Sequence, residues 1–245
     1  VPAAPGLAIG SAHTIRPASP VDITERRKVE ASVETIRLKQ AIERAITRMD
    51  TLYSVAKGAI ADILEVQREM MDDPELKQGT ADLVAAGFTA EAAITRVVDD
   101  YAELLADLPD PYLAARAEDV REVGRRIVAE LQGISLEVHL DRAAILVARD
   151  LAPAETVGLD PALLQAVVTE TGSAMGHLAI VAQGLGIPAV VGVADALVQI
   201  DGGTLLVVDG DSGTVTIDPD EVSRSETEAR LAALRQHKKD LEIYR

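Results

Sequence analysis

The chain has 245 residues, enough for one large or two ordinary domains with a hydrophobic core. Its net charge of −16 argues against a nucleic-acid partner, whose phosphates would be repelled, and the absence of cysteine excludes a disulfide framework and thiolate chemistry. No charged-then-apolar leader opens the sequence and no apolar run approaches the ~18 residues of a membrane span, so we expect a cytoplasmic protein without a membrane partner.

The first half of the chain indicates one strand followed by a helical block. Leu7, Ile9 and Ala12 follow a Pro-Gly turn and indicate a strand. From about Ile23 to Gly133 apolar residues recur with the period of a helix, which predicts several long helices packed as a bundle. Two stripes are expected to face the core: Val29, Val33 and Ile36, then Ile42, Ile46 and Met49.

Breakers at Asp73-Pro74 and at residues 108–111 (L-P-D-P) divide this block. From Glu65 to Asp110 the block carries twelve acidic residues against three basic ones, which indicates either a solvated helix face or a docking surface for a basic partner. The predicted elements between and after the breakers are Glu75–Ala86 ended by Gly87, a helix after the N-cap Thr89, and Tyr112–Gln132 ended by Gly133.

From about Asp141 strands alternate with short helices, as in an α/β layer. The run A-A-I-L-V-A at 143–148 predicts a buried strand, and a turn follows at Arg149–Pro153. A short helix is predicted over Pro161–Gln165. Two more strands, over 204–208 and 214–217, are joined at 209–213. A charged linker helix is predicted over Glu221–Arg245, with apolar Leu231, Leu234 and Leu241.

The stretch from Ala166 to Val193 predicts a strand, a glycine-bearing turn, a short helix and a second strand. His177 falls at the junction of turn and helix, where unpaired backbone N–H groups and the helix dipole favour anions. A ring nitrogen of a neutral imidazole can act as a nucleophile, and a phosphoryl group would place its oxygens on the same N–H groups. The spacing alone also fits a histidine that caps the helix or packs in the turn. One apolar stripe is expected to bury this helix: Leu178, Val181, Ala182 and Leu185.

This segment resembles the phosphohistidine motif of the phosphoenolpyruvate-utilising family, G-G-x-T-S-H-x-(A/S)-I-x-A-R-x-x-x-(I/L)-P-A-(V/I)-V-G. The resemblance makes His177 a phosphoryl acceptor. This chain departs from the motif before the histidine, with Ser173, Ala174, Met175 and Gly176, and after the helix alanine, with Gln183 for arginine. These departures remove hydroxyls and a guanidinium suited to a phosphoryl group. The matching positions are Gly172, His177, Ala179, Ile180, Ala182, Ile187, Pro188, Ala189, Val190, Val191 and Gly192.

A wider resemblance covers nearly the whole chain and keeps the order of its segments. P-G-L-A-I-G, A-D-I-L-E-V-Q-R-E-M-M-D-D-P-E-L, P-Y-L-A-A-R-A-E-D-V-R-E-V-G-R-R and I-L-V-A-R-D-L-A-P-A-E-T are similar to the N-terminal half of Enzyme I of the bacterial sugar phosphotransferase system. The resemblance implies a mixed α+β fold, in which a swivelling α/β phosphohistidine subdomain carries an inserted helical subdomain. The implied segments are 1–22 (first strands), 23–140 (helical, carrier-binding), 141–222 (phosphohistidine) and 223–245 (linker helix).

In that family the histidine takes a phosphoryl group from phosphoenolpyruvate on a C-terminal barrel and passes it to a histidine of the small carrier HPr. The resemblance therefore implies a phosphotransferase whose partners are an HPr-like carrier and that barrel. It implies no cofactor in this chain, because Mg²⁺ is expected only with the barrel, and the four histidines are not spaced as metal ligands. A chain that starts at Val1 and ends inside a predicted helix is expected to be a fragment, unable to react with phosphoenolpyruvate by itself.

The resemblance also assigns roles to individual side chains. Thr156 is expected to bond the His177 ring, although a plain helix cap fits its position equally well. The expected support of the phosphoryl site comes from Thr156, Gly172, Ser173, Gly176 and Gln183. The expected docking face for the carrier consists of Glu65, Met70, Met71, Asp72, Asp73, Glu75, Leu76, Leu105, Leu113 and Arg116. Gln67 stands where family members often carry a histidine.

Two alternatives stay open. The first is the Enzyme I-like module of another phosphotransfer chain, such as the multidomain carrier that serves dihydroxyacetone kinase. The chain also fits a regulatory module that binds a carrier without transferring phosphate, because of the residues around His177. Restoring Thr and Ser at Met175 and Gly176 is expected to raise transfer if those departures have weakened the site.

Overall fold

The computed structural model describes residues 1–16, 21–157, 159–174 and 176–242, and for residues 235 and 237–242 only the backbone. Met175, residues 243–245 of the predicted linker and the Leu241 side chain lie outside the described residues. The chain divides into two compact units, one of residues 19–137 and one that combines residues 1–18 with 138–245. None of the helices in the described ranges combines the length and the apolar character needed to cross a membrane.

The unit of residues 19–137 is a helical bundle, as the periodicity predicts. Its helices begin and end where the sequence places breakers and caps. The Asp73 carboxylate caps the start of one helix, and the Thr89 hydroxyl caps the start of another by accepting the Ala92 N–H at 3.2 Å. Gly133 ends the last helix in the left-handed conformation. The helices are α1 (Ala31–Val55), α2 (Ala59–Asp72), α3 (Pro74–Ala85), α4 (Ala90–Ala106) and α5 (Pro111–Gln132).

One prediction for this unit is wrong, because α1 begins at Ala31 and buries a different face. Val29, Val33 and Ile36 are 45%, 46% and 56% exposed. The stripe is turned outward because Glu34 is buried, where its carboxylate accepts the Ala90 N–H at the start of α4. Of the second predicted stripe, Ile42 and Met49 are buried and Ile46 is half-buried. The buried residues of α1 are Glu34, Leu38, Ala41, Ile42, Ala45 and Met49.

The second unit is built on one seven-stranded sheet in the order β1-β5-β4-β3-β2-β6-β7, among the described residues. The four central strands, β5, β4, β3 and β2, run parallel to one another. At one edge β1 pairs antiparallel with β5, and at the other β6 pairs antiparallel with both β2 and β7. The opening strand therefore joins the later sheet. The strands are β1 (Pro2–Ala4), β2 (Leu7–Ile15), β3 (Ala144–Ala148), β4 (Leu164–Thr169), β5 (Ala189–Val190), β6 (Leu205–Asp209) and β7 (Thr214–Ile217).

Among the described residues four helices accompany the sheet, and the two units give the α+β fold that the resemblance implies. Helix α7 packs on one face of the sheet with Leu146 and Val167, and α8 packs on the other with Ile145 and Val168. Helix α9 packs against the unit through the buried Thr227. The helices are α6 (Pro153–Thr156), α7 (His177–Leu185), α8 (Ala196–Gln199) and α9 (Glu221–Glu242).

The short helix predicted over Pro161–Gln165 is absent from the described structure at that place. Residues 161–163 form a turn that leads directly into β4, because the Asp160 carboxylate and carbonyl accept the Ala162 and Leu163 N–H groups. The short helix lies earlier, over Pro153–Thr156, where proline occupies the first turn and Glu155 accepts the Ala152 N–H at 2.9 Å.

Candidate functional site

His177 lies at the carboxyl ends of the parallel strands. Strand β4 ends at Thr169, a turn follows, and α7 begins at His177 before the chain returns in parallel β5. The carboxyl ends of parallel strands are where open α/β sheets bind ligands, because the helices that follow them present their N-termini there. The crossover therefore places His177 at the end of the sheet best suited to an anionic ligand.

Hydrogen bonds to the neighbouring strand hold the turn between β4 and α7. The N–H and the hydroxyl of Thr171 both donate to the Arg149 carbonyl, each at 2.9 Å, and the Thr169 hydroxyl donates to the Thr171 carbonyl at 2.7 Å. Gly172 follows with φ +103°, a conformation that side-chain-bearing residues rarely adopt. Hydrogen bonds thus hold the start of the turn, and Gly172 allows the chain to reverse sharply after it. Together they define where α7 starts.

His177 is the first residue of α7 and is half-buried. Gly176 is the N-cap, so no side chain caps the helix, and its own N–H donates to the Ser173 carbonyl at 3.0 Å. The first hydrogen bond within the helix runs from the Ile180 N–H to the Gly176 carbonyl at 3.3 Å. The N–H groups of residues 177–179 come before this bond, so they point out of the helix end beside the imidazole, as an anion-binding helix terminus requires.

Thr156 occupies α6, which packs next to α7. Its side chain is buried and its hydroxyl donates to the Pro153 carbonyl at 2.6 Å. Because the hydroxyl proton is used in this bond, the Thr156 oxygen can only accept a further hydrogen bond.

Gln183 does not support the phosphoryl site as predicted. It lies six residues after His177 near the other end of α7, about 9 Å along the axis at the usual rise per residue. Its side-chain amide donates to the Ala3 carbonyl at 2.9 Å, so it joins α7 to β1. Of the other predicted supporting residues, Gly172, Ser173 and Gly176 form the turn itself.

The predicted docking residues lie on α2, the start of α3, the end of α4 and the start of α5. Met71 and Leu76 are 0% and 5% exposed, so the prediction that they contact a carrier is wrong for this structure. They are buried because the apolar face of α2 and α3 forms the core of the bundle. The remaining residues are exposed (Glu65, Asp72, Asp73, Glu75 and Leu113) or half-buried (Met70, Leu105 and Arg116).

Several of the exposed carboxylates already have partners. Asp73 accepts the N–H groups of Glu75 and Leu76 at 2.7 and 3.0 Å as the N-cap of α3. Asp72 pairs with Lys77, and the hydrogen bond from this ammonium group holds the pKa of Asp72 below its usual value. The docking face predicted from the sequence therefore keeps its acidic rim, while its apolar part is smaller than expected.

Two residues outside the predicted site, Tyr112 and Asp119, accompany Arg116. The Arg116 guanidinium donates to Asp119 at 3.1 Å and to the Tyr112 hydroxyl at 2.5 Å, and it lies 4.9 Å from the centre of the Tyr112 ring. The spacings i, i+3 and i+4 along one helix are a sequence signal for such contacts. The burial of Asp119, however, follows only from the packing of α2 on α5.

No group of three or more histidine, cysteine, aspartate or glutamate side chains suited to a metal ion occurs among the residues that the structure describes. The described residues of this site are a histidine at a helix terminus and the backbone N–H groups of the first turn beside it.

Two family models match the sequence. One is described as PEP-utilising enzyme, N-terminal, and covers residues 1–116; the other is described as PEP-utilising enzyme, mobile domain, and covers residues 140–213. The second match contains His177 and the strands around it.

Curated relatives extend these matches. A phosphoenolpyruvate-protein phosphotransferase of Streptomyces coelicolor is 39% identical over 83% of this chain and 36% of its own length. A multiphosphoryl transfer protein of Rhodobacter capsulatus is 35% identical over 76% of this chain and 23% of its own length. The chain thus spans less than half the length of these relatives.

Solved structures give the same result for the fold. A solution structure of Enzyme I shares 30% identity with a TM-score of 0.75, and the match covers 95% of this chain and 97% of that one. A structure of the N-terminal domain of "Enzyme 1 - Nitrogen" shares 28% identity with a TM-score of 0.61 over 95% and 98% of the two chains.

Proposed function

The chain belongs to the Enzyme I family of PEP-utilising enzymes, as its N-terminal half, and from this premise we propose that His177 carries a phosphoryl group between two partners. One partner is an HPr-type carrier that docks on the helical unit, and the other is a C-terminal phosphoenolpyruvate-binding barrel in the full-length protein. The proposal includes a cytoplasmic location and leaves any Mg²⁺ with the barrel. The observation that carries it is the position of His177, first in α7 at the carboxyl ends of the parallel strands.

The chemistry proposed for the carrier step is a direct transfer between nitrogens. A lone pair on the His177 ring forms a bond to phosphorus, the bond from phosphorus to the carrier histidine breaks, and its electron pair returns to that histidine. In this proposal the second ring nitrogen of His177 keeps its proton and donates it in a hydrogen bond to the Thr156 oxygen, whose own proton bonds the Pro153 carbonyl. The N–H groups of the first turn of α7 stabilise the phosphoryl oxygens, so positioning and charge stabilisation provide the catalysis.

Multiphosphoryl transfer proteins among the relatives support a second candidate, a module of a longer phosphotransfer chain. This candidate keeps the role of His177 and changes only the neighbouring domains. The protein segments encoded before residue 1 and after residue 245 in the complete gene distinguish this candidate from the first one.

The proposed function predicts that incubation with radiolabelled phospho-HPr transfers label to this chain. The label should be lost in acid and survive alkali, as a phosphoramidate does, and His177→Ala should remove it entirely. His13→Ala, which alters a histidine on β2, serves as the matched control and should keep full labelling. Binding of the carrier without label transfer would contradict the transfer role and favour the regulatory alternative.

The alternative of a transfer-impaired module gives a further prediction at Gly176. A Cβ at this position would lie 3.3 Å from the Ser173 carbonyl and hydroxyl oxygens, a tight contact that the exposed Ser173 can relieve. If the missing hydroxyl limits transfer, Gly176→Ser should raise the rate of labelling about tenfold, the value of one added hydrogen bond in the transition state. Gly184→Ser, in the same helix with no atom within 4 Å, should leave the rate unchanged. Equal rates in both variants would contradict a limiting hydroxyl.

A further inference from the structure

A buried polar chain crosses the interface between α2 and α5. Gln67 on α2 and Asp119 on α5 are each 1% exposed, and the Gln67 amide donates to the Asp119 carboxylate at 3.2 Å. The other oxygen of Asp119 accepts from Arg116 at 3.1 Å. We name these three residues the Gln67–Asp119–Arg116 relay.

The orientation of the Gln67 amide follows from its neighbour. An ionised carboxylate only accepts hydrogen bonds, so the amide nitrogen must face Asp119. The amide oxygen is then buried, and among the described residues it has no hydrogen-bond partner. A buried acceptor without a partner is unfavourable, so an apolar residue of the same shape would suit the core better. The contribution of Gln67 that offsets this cost is its bond to Asp119.

Asp119 in turn determines where the guanidinium of Arg116 lies. Arg116 is on the helix surface with 26% of its side chain exposed, between the buried Asp119 and the exposed Tyr112. Its hydrogen bonds to Tyr112 and Asp119 raise the pKa of the guanidinium above its ordinary value, against the opposing effect of burial. Asp119 and Tyr112 use two of the five donors of a guanidinium, so the others are available to a partner.

We propose that Gln67 is a positioning residue for carrier binding, which acts through Asp119 to hold Arg116 in one orientation on the docking face. This inference rests on the proposed function and deepens it. The exposed carboxylates of α2 and α3 on the predicted docking face suit a partner with basic side chains. The fixed guanidinium requires in addition a hydrogen-bond acceptor oxygen on that partner at one place. Ordering Arg116 before binding removes an entropy cost that a mobile arginine would carry into the complex.

The first experiment tests the relay without any carrier. In protein labelled with ¹⁵N, the guanidinium of Arg116 should show slow rotation and separate Nη–Hη signals, because Asp119 and Tyr112 hold it. Gln67→Met, which keeps the shape and removes the donor, should average these signals. Met71→Leu, a volume-conserving change one turn later on the same buried face, should not. Equal order of Arg116 in wild type and Gln67→Met would overturn the proposal.

The second experiment measures the dissociation constant of unphosphorylated HPr by calorimetry. Gln67→Met should weaken binding about tenfold, whereas Met71→Leu should leave it unchanged. In an Arg116→Gln background the further change Gln67→Met should have no effect, because the relay ends at Arg116. An unchanged dissociation constant in Gln67→Met, or full additivity of the two changes, would overturn the positioning role.

The two experiments separate this inference from the proposed function. If wild-type protein bound no HPr while Gln67→Met still released Arg116, the relay would stand and the carrier part of the proposed function would fall. If HPr bound tightly and Gln67→Met changed neither Arg116 nor the affinity, the proposed function would stand and the relay would fall.

Discussion

Glu34→Ala is expected to lower the free energy of unfolding of the helical unit by about 3 kcal/mol. The Glu34 side chain is buried and accepts the Ala90 N–H at 2.9 Å, as well as two bonds from Arg37 at 2.8 and 3.0 Å. Alanine would leave the fully buried Ala90 N–H without its acceptor, and an orphaned donor together with a lost charged hydrogen bond accounts for an effect of about this size. The Arg37 contact adds little, because that guanidinium is 40% exposed and retains Glu91 at 2.7 Å.

The measurement is urea unfolding followed by circular dichroism at 222 nm. Glu34→Gln keeps an oxygen for the Ala90 N–H and should lose about 1 kcal/mol. Glu43→Ala, in the same helix at an exposed position, should stay within about 0.5 kcal/mol of wild type. A Glu34→Ala variant as stable as Glu43→Ala would show that the hydrogen bond from the Ala90 N–H to Glu34 contributes nothing to the free energy of unfolding.

Gly210→Ala is expected to destabilise the sheet-containing unit by about 3 kcal/mol or more. A Cβ at Gly210 would lie 2.0 Å from the Ala4 carbonyl oxygen and 3.3 Å from the Ala189 backbone nitrogen. Both are backbone atoms of the paired strands β1 and β5, so neither can move aside as a flexible side chain would. Relief of the overlap requires a shift of β1 or β6, and the Gly210 N–H would then lose its 2.7 Å bond to the Gly6 carbonyl.

Thermal unfolding measures this effect against a matched change. Gly202→Ala adds the same methyl group to a turn of the same unit, where the nearest atom is the Thr14 hydroxyl at 3.6 Å. It should leave stability unchanged or raise it by less than about 1 kcal/mol, because alanine restricts the unfolded chain. Equal melting temperatures for the two variants would contradict the close approach at Gly210.

The position of His177 could be predicted from the sequence because local signals agree there. A β-branched run, a glycine turn, a helical apolar stripe and a proline follow one another within one crossover. A residue that directly follows a strand lies at the carboxyl end of that strand, so the end of the sheet that carries the histidine followed from the order of these elements. The right-handed crossover decides only the face on which α7 packs. The placement of Gln183 was not predictable, because its hydrogen bond to Ala3 joins residues 180 positions apart.

The helical unit shows the limit of periodicity. Val29, Val33 and Ile36 have ideal helical spacing and are nevertheless exposed, because the buried Glu34 turns the start of α1 the other way. Met71 and Leu76 were expected at the surface and are buried. Apolar spacing identifies a stripe on a helix, but it does not say whether that stripe meets a neighbouring helix or solvent.

The sequence by itself therefore determined the helical block, the alternation of strands and short helices after it, and the histidine at the start of α7, since each depends on residues close together in the chain. Only the tertiary structure decided which face of α1 is buried, which of the predicted docking residues are exposed, and that Gln67 and Asp119 meet. These outcomes depend on contacts between helices and strands that are far apart in sequence. The local pattern fits more than one buried face of a helix, and the hydrogen-bond partners of a buried carboxylate or amide decide which face is buried.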